Sequence, residues 1–200
     1  MQDQQAQLLE DARRIEGCIQ PLPPPRSSAA LVVVSGLPGS GKSYFCRRLA
    51  SRYPIARLES DALRKTLFGQ PTHSDEESRR LFAASHYVLD RLLGAGISAL
   101  LDATNLREVH RRQLYAIADR HGAKLVLVSL RAPAAVVEER LAGRGRRADP
   151  EDLSDAGPEV YQRMRSLAEP IGRPHIVVDT SADIEPAIDA VLRELGEGRP

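Results

Sequence analysis

The chain is 200 residues long, 28% charged and 42% hydrophobic, with a net charge of +1. That length supports one sizeable core, and the balanced charge excludes a molecule that binds polyanions over its whole surface. Cys18 and Cys46 are its only cysteines, too few for a disulfide framework or a cysteine metal motif. With no apolar run of membrane-spanning length and no secretory pattern, the expected setting is a reduced cytoplasm without membrane contact.

Residues 4–19 carry Leu8, Leu9, Ala12, Ile15 and Ile19 at helical spacing, which predicts an amphipathic helix. Pro21, Pro23, Pro24 and Pro25 stop it and favour an extended linker. Residues 1–28 therefore stand apart, as a tail, a helix laid on the surface, or a contact element of a partner domain. Residues 29–200 read as one domain.

An apolar strand over 31–35 runs into Gly36-Leu37-Pro38-Gly39-Ser40-Gly41-Lys42-Ser43, and a helix follows from Tyr44 to about Arg52. The eight residues match G-x-x-x-x-G-K-[ST] at every fixed position. Glycines let the backbone wrap phosphates closely, and the helix N-terminus adds positive potential. Lys42 is expected at the β- and γ-phosphates of a nucleoside triphosphate, and Ser43 on Mg²⁺. Tyr44 is grouped with these nucleotide-binding residues.

A short strand over 55–59 precedes a helical turn over 60–64, and a long helix over 75–94 starts near Ser74. A third strand over 97–101 ends at Asp102, and a helix over 107–120 follows. A fourth strand covers 124–130, a proline-started helix 133–143, and a polar, glycine-punctuated stretch 144–158. A helix over 158–167, a fifth strand over 175–179 and a last helix over 183–195 complete the chain. Strands alternating with helices predict an α/β fold of the P-loop type. Its sheet is mainly parallel and five-stranded, in the order 2-3-1-4-5, with helices on both faces. Right-handed crossovers bring the loop, Asp61, Asp102 and the segment after Arg131 to one sheet edge.

Asp61, just past strand two, can accept the proton of an attacking hydroxyl, and Arg64 can hold a phosphate. Each also has a bland reading, as a helix cap and a solvated cation. Asp102 closes an apolar strand, where such a residue orients Mg²⁺ or substrate or caps the next helix. Thr104 and Asn105 brace it, contact substrate, or only shape a turn. Arg107, Arg111 and Arg112 read as surface residues, with Arg111 able to reach the substrate side. The run from Arg140 to Arg147 suits an arginine lid over about 140–157. Arg140 and Arg144 share a helix face toward the phosphates, ahead of Arg146 and Arg147. The five histidines show no ligand spacing.

The loop, Ser60-Asp61-Ala62-Leu63-Arg64-Lys65 and Leu101-Asp102-Ala103-Thr104-Asn105-Leu106 together resemble the small P-loop kinases of the polynucleotide 5′-hydroxyl kinase and zeta-toxin-like group. The segment 155–164 resembles the stretch after the lid in a predicted-ATPase branch of that group. The resemblance covers about residues 30–196. It implies that Asp61 is the general base toward a 5′-hydroxyl and that Arg64 contacts an acceptor phosphate. It also implies that Asp102 arranges the acceptor side and that Arg140 or Arg144 engages the donor phosphates. The segment around Thr180 would lie near adenine. Residues 1–28 resemble the junction by which some members join an upstream aminoglycoside-phosphotransferase-like domain.

The expected activity is ATP-dependent transfer of the γ-phosphate to a hydroxyl, with the 5′-hydroxyl of DNA or RNA as the first acceptor. Kinases in the group also act on small molecules, and no basic, aromatic-studded channel for a strand is visible. The alternatives are therefore a small metabolite, nucleoside, antibiotic or nucleotide sugar. Outside kinases stand an NTPase switch without acceptor and a nucleotide-binding module that has lost its chemistry.

Overall fold

The computed structural model describes residues 2–143 and 156–196. In chain order its elements are α1 (Gln2–Cys18), β1 (Ala30–Ser35), α2 (Lys42–Ala50), β2 (Ala56–Glu59), α3 (Ser60–Phe68) and α4 (Asp75–Gly94). They continue with β3 (Ala99–Asp102), α5 (Glu108–Arg120), β4 (Lys124–Arg131), α6 (Ala134–Gly143), α7 (Pro158–Arg165), β5 (Ile176–Asp179) and α8 (Glu185–Glu194).

The strands form one sheet in the order β2-β3-β1-β4-β5, and every neighbouring pair is parallel. β1 lies at its centre because Leu31, Val32, Val33 and Val34 are apolar on both faces of the strand. Leu31 and Val33 pack with α1, α3, α4 and α5. Val32 and Val34 pack with Phe45, Cys46 and Leu49 of α2 and with Ile188 and Val191 of α8. A smaller cluster joins Leu37 of the glycine loop to Val137 and Leu141 of α6 and Tyr161 of α7. Register sets Glu59 beside Asp102, and Asp102 beside Val34, at the strands' C-terminal edge.

One element differs from expectation, and for another the structure selects among the readings. The turn after β2 is a helix of nine residues, α3, because Leu63 and Leu67 at i, i+4 face the same core. Nor is α1 a loose tail. Ala12 and Ile15 are buried in the main core, and Asp11, only 1% exposed, receives Arg80 Nε at 3.0 Å and Nη2 at 2.9 Å. The linker is tied down as well, with Arg26 N donating to Gly96 O at 2.8 Å. No described helix is long and apolar enough to cross a membrane.

Candidate active site

The glycine loop is built on left-handed backbone at Gly39 (φ 76°) and Gly41 (φ 79°), a region that side chains disfavour. Gly36 matters for a different reason. A Cβ there would lie 2.6 Å from Ser40 Oγ and 2.8 Å from Leu130 O. The loop closes through Ser40 N donating to Leu37 O and is anchored by Gly36 N donating to Thr104 O, both at 3.1 Å. Lys42 Nζ bends back to donate to Leu37 O at 2.9 Å. No side chain caps α2, so its first-turn N–H groups remain available to an anion. Pro38 is buried and Tyr44, one residue past the loop, is exposed.

Asp102 sits at the end of β3, 3% exposed; it caps no helix, since the residue preceding α5 is Arg107. Burial pushes its carboxyl above the usual range; Lys42, Arg57 and a hydrogen bond from Ser43 oppose that, and Asp61 adds to it. The Cys46 thiol, buried beside Asp102 and hydrogen-bonded to it, is raised by burial first and by that carboxylate second. Asp102 Oδ2 and Arg57 Nε lie 3.9 Å apart, too far for a hydrogen bond. Both are buried without a hydrogen-bond partner.

Arg57 pairs instead with Glu59 through Nη2. Burial raises the Glu59 carboxyl, Arg57 lowers it, and the charges of Asp102 and Asp61 raise it. Asp61, in the first turn of α3, thus lies within electrostatic reach of both Glu59 and Asp102. Asp61, Asp102, Lys42 and Ser43 converge as expected from the topology.

Arg64 is placed differently. It is 8% exposed, with Nη1 3.5 Å from Glu77 Oε2 and Nη2 3.2 Å from Ser78 Oγ. Glu77 is itself fixed, accepting from Thr72 N, Thr72 Oγ1 and His73 N. These bonds, led by the Thr72 backbone, hold its carboxyl below the usual range. Arg140, on α6, donates to Gly39 O at 3.2 Å, to Thr180 Oγ1 at 2.9 Å and to Thr180 O at 2.6 Å. Thr180 Oγ1 in turn donates to Ser40 O at 3.0 Å. Arg140 and Thr180 therefore border the loop. Arg144, Arg146, Arg147 and most of the expected lid lie outside the described residues.

Asn105 and Arg111 brace the site from behind. Asn105 adopts φ 43° and donates from Nδ2 to Val34 O at 2.7 Å. Arg111 is no surface residue, at 0% exposure. It donates to Asn105 O and Leu106 O, to Glu169 O and Pro170 O, and to Glu108. It thus joins the loop after Asp102 to the segment after α7. Among the described residues no group of three or more His, Cys, Asp or Glu is placed to hold a metal ion. A cation at Ser43 and Asp102 would complete its shell with phosphate oxygens and water.

Sequence reasoning missed Arg57, Glu59, Cys46 and Glu77. A charged pair alternating on the short strand before Asp61 was a usable signal for the first two. Glu77 stands at the third position after Ser74, a local helix-start pattern, but its pairing with Arg64 and the contact of Cys46 with Asp102 join residues distant in sequence, which no local pattern marks.

A family model described as "AAA domain" (AAA_33) matches residues 31–171. An L-seryl-tRNA(Sec) kinase of Methanococcus maripaludis is 25% identical over 171 residues, 84% of this chain, and the chain spans 65% of that protein's length. Kti12 of Chaetomium thermophilum, solved with ADP-AlF3, superposes with a TM-score of 0.66 at 21% identity, over 84% of this chain and 98% of that one. The APS kinase CysC of Mycobacterium tuberculosis, solved with AMPPNP and APS, does so at 0.60 and 21%, over 86% and 99%. At these identities the two structures speak for the fold alone.

Proposed function

The chain belongs to the AAA-domain family matched over residues 31–171, and on that premise we propose that it is a kinase transferring the γ-phosphate of ATP to a hydroxyl group. The observation that carries this is the placement of Asp61. It stands at the same strand edge as the glycine loop and shares a field with Asp102 and Glu59. A phosphate loop alone holds a nucleotide; a carboxylate beside it can serve an incoming nucleophile.

In this reading Lys42 and the α2 N-terminus hold the donor phosphates. Asp61 takes the proton of the acceptor hydroxyl as the new O–P bond forms and the bond to the β-phosphate oxygen breaks, releasing ADP. Arg140 and Arg144 supply charge as that bond breaks, and Thr180 backs the loop. The orphaned Asp102 Oδ2 and the Ser43 hydroxyl fit Mg²⁺ with its water; bound there, the ion would neutralise charge on the phosphates. Residues 29–200 form the kinase domain, with its lid at about 140–157. Residues 1–28 are its N-terminal helix and linker.

The family resemblance favours the 5′-hydroxyl of a polynucleotide as acceptor. The ion pair that holds Arg64 favours an acceptor without a phosphate at that point. Labelled ATP incubated with 5′-hydroxyl DNA and RNA, nucleosides and small alcohols tests the proposal. Label on any acceptor supports it. Phosphate release to water alone, unaffected by Asp61→Asn, overturns it in favour of an NTPase switch.

A further inference from the structure

We propose that the cleft between the end of α1, strand β2 and the start of α3 is the acceptor pocket, and that it takes a small uncharged polyhydroxy compound no larger than a nucleoside. This rests on the kinase reading above and goes on to name the acceptor's class and seat. The cleft is lined by Cys18, Ile19, Arg57, Glu59, Ala62 and Leu63, is open to solvent, and offers about 220 Å³. Pockets for drug-sized ligands run to about 300–1,000 Å³, so the group it seats is small. Asp61 lies between two lining residues in sequence, and its charge is felt at Glu59. Arg57, another lining residue, has its Nε 3.9 Å from Asp102 Oδ2, and Glu59 is in register with Asp102, so the cleft adjoins the strand edge that carries the proposed base.

The lining sets the chemistry. Arg57 and Glu59 already neutralise one another, so they offer a donor and an acceptor side by side and no net charge. Ile19, Ala62 and Leu63 add apolar surface. A polyhydroxy compound, with C–H faces and O–H edges, satisfies both. A phosphate is poorly served. Arg64, the cation assigned to it by resemblance, is held by Glu77 and Ser78.

One wall comes from outside the family match, which begins at residue 31. Cys18 and Ile19 lie at and just past the end of α1, and α1 is fixed. Its Asp11 is bonded by Arg80, and its Glu16 pairs with Arg91 at 2.8 Å. Arg14 donates to Thr66 O and Leu67 O at the end of α3, and Cys18 Sγ lies 3.3 Å from Thr66 Oγ1. The N-terminal helix thus completes the pocket and sets which acceptor enters.

The test uses the full chain, labelled ATP and four probes: adenosine, glucose, glycerol and a 5′-hydroxyl oligonucleotide. Cys18→Trp fills the cleft from its α1 side. We expect label on adenosine, glucose or glycerol. In C18W that transfer falls by about tenfold or more at subsaturating acceptor, while affinity for a non-hydrolysable ATP analogue stays within about twofold. Because the tryptophan can also disturb folding, the folded wild type is treated in parallel with methyl methanethiosulfonate. Cys18 is exposed and Cys46 buried, so modification falls on Cys18. Transfer should drop and return with dithiothreitol, while the treated C18S chain keeps its own untreated rate. Transfer that neither the tryptophan nor the thiol reagent alters overturns the pocket. Label on the oligonucleotide alone overturns the occupant. Label on none of the four overturns this proposal, and phosphate release to water unaffected by Asp61→Asn overturns the kinase reading with it.

Discussion

At the scale of single residues, the site is built from groups held where water barely reaches. Asp102 is the clearest case, since burial raises its carboxyl and one of its oxygens has no hydrogen-bond partner. Such a carboxylate costs the fold more when charged than when neutral. Asp102→Asn should therefore melt no lower than wild type without nucleotide, while its phosphoryl transfer collapses. Thermal denaturation and a transfer assay on one preparation check both halves, and a lower melting point would assign Asp102 a structural role instead. Gly36 makes the opposite case. Gly36→Ala forces a Cβ against Leu130 O at 2.8 Å, so the loop must shift; nucleotide affinity should drop by about tenfold or more with the circular dichroism unchanged. Lys42, Ser43, Asp61 and Asp102 were legible in the sequence because each sits in a short motif or ends an apolar run. Arg64 was legible as a functional candidate but not as the partner of Glu77. That pairing depends on how α3 meets α4, which no local spacing records.

At the scale of elements, α1 shows what periodicity can and cannot say. Its apolar stripe was readable and its bounds nearly so, but a stripe does not tell where a helix docks. The answer lies in Asp11, a charged residue on the buried side that reads as surface until Arg80 is brought to it from α4. Asp11→Ala removes two charge-assisted bonds from Arg80, whose side chain stays partly solvated, so it should lower unfolding stability by about 2 kcal/mol. Chemical denaturation measures it, and a loss below about 1 kcal/mol would mean that α1 contributes little to the fold. The loop after β3 is similar. Its turn chemistry was legible at Asn105, whereas the burial of Arg111 was not, because four of its five acceptors are main-chain carbonyls, which carry no sequence signature.

At the scale of the whole molecule, the strand order and parallel sense followed from the sequence. Five apolar runs separated by helices leave few right-handed arrangements. The pH response of the fold follows from burial. His86, on α4, is half-buried, and desolvation first and the charge of His110 second bring it down from 6.5 to about 4. The unfolded chain binds that proton at higher pH than the folded one. The contribution is thus fully present above the unfolded value and is lost as pH falls toward the folded one, by about 3 kcal/mol in all. Denaturation midpoints between neutral pH and the acid range should decline more steeply for wild type than for His86→Gln; parallel curves would contradict the assignment.

The central claim is that Asp61 acts on the acceptor and not on the nucleotide. Titrating a non-hydrolysable ATP analogue into wild type and Asp61→Asn, and following single-turnover transfer of labelled γ-phosphate by the same two proteins, tests it directly. The account predicts affinities within about twofold and a transfer rate lower by about a hundredfold or more in the variant. Undiminished transfer by Asp61→Asn, or a matching loss of nucleotide affinity, would contradict it.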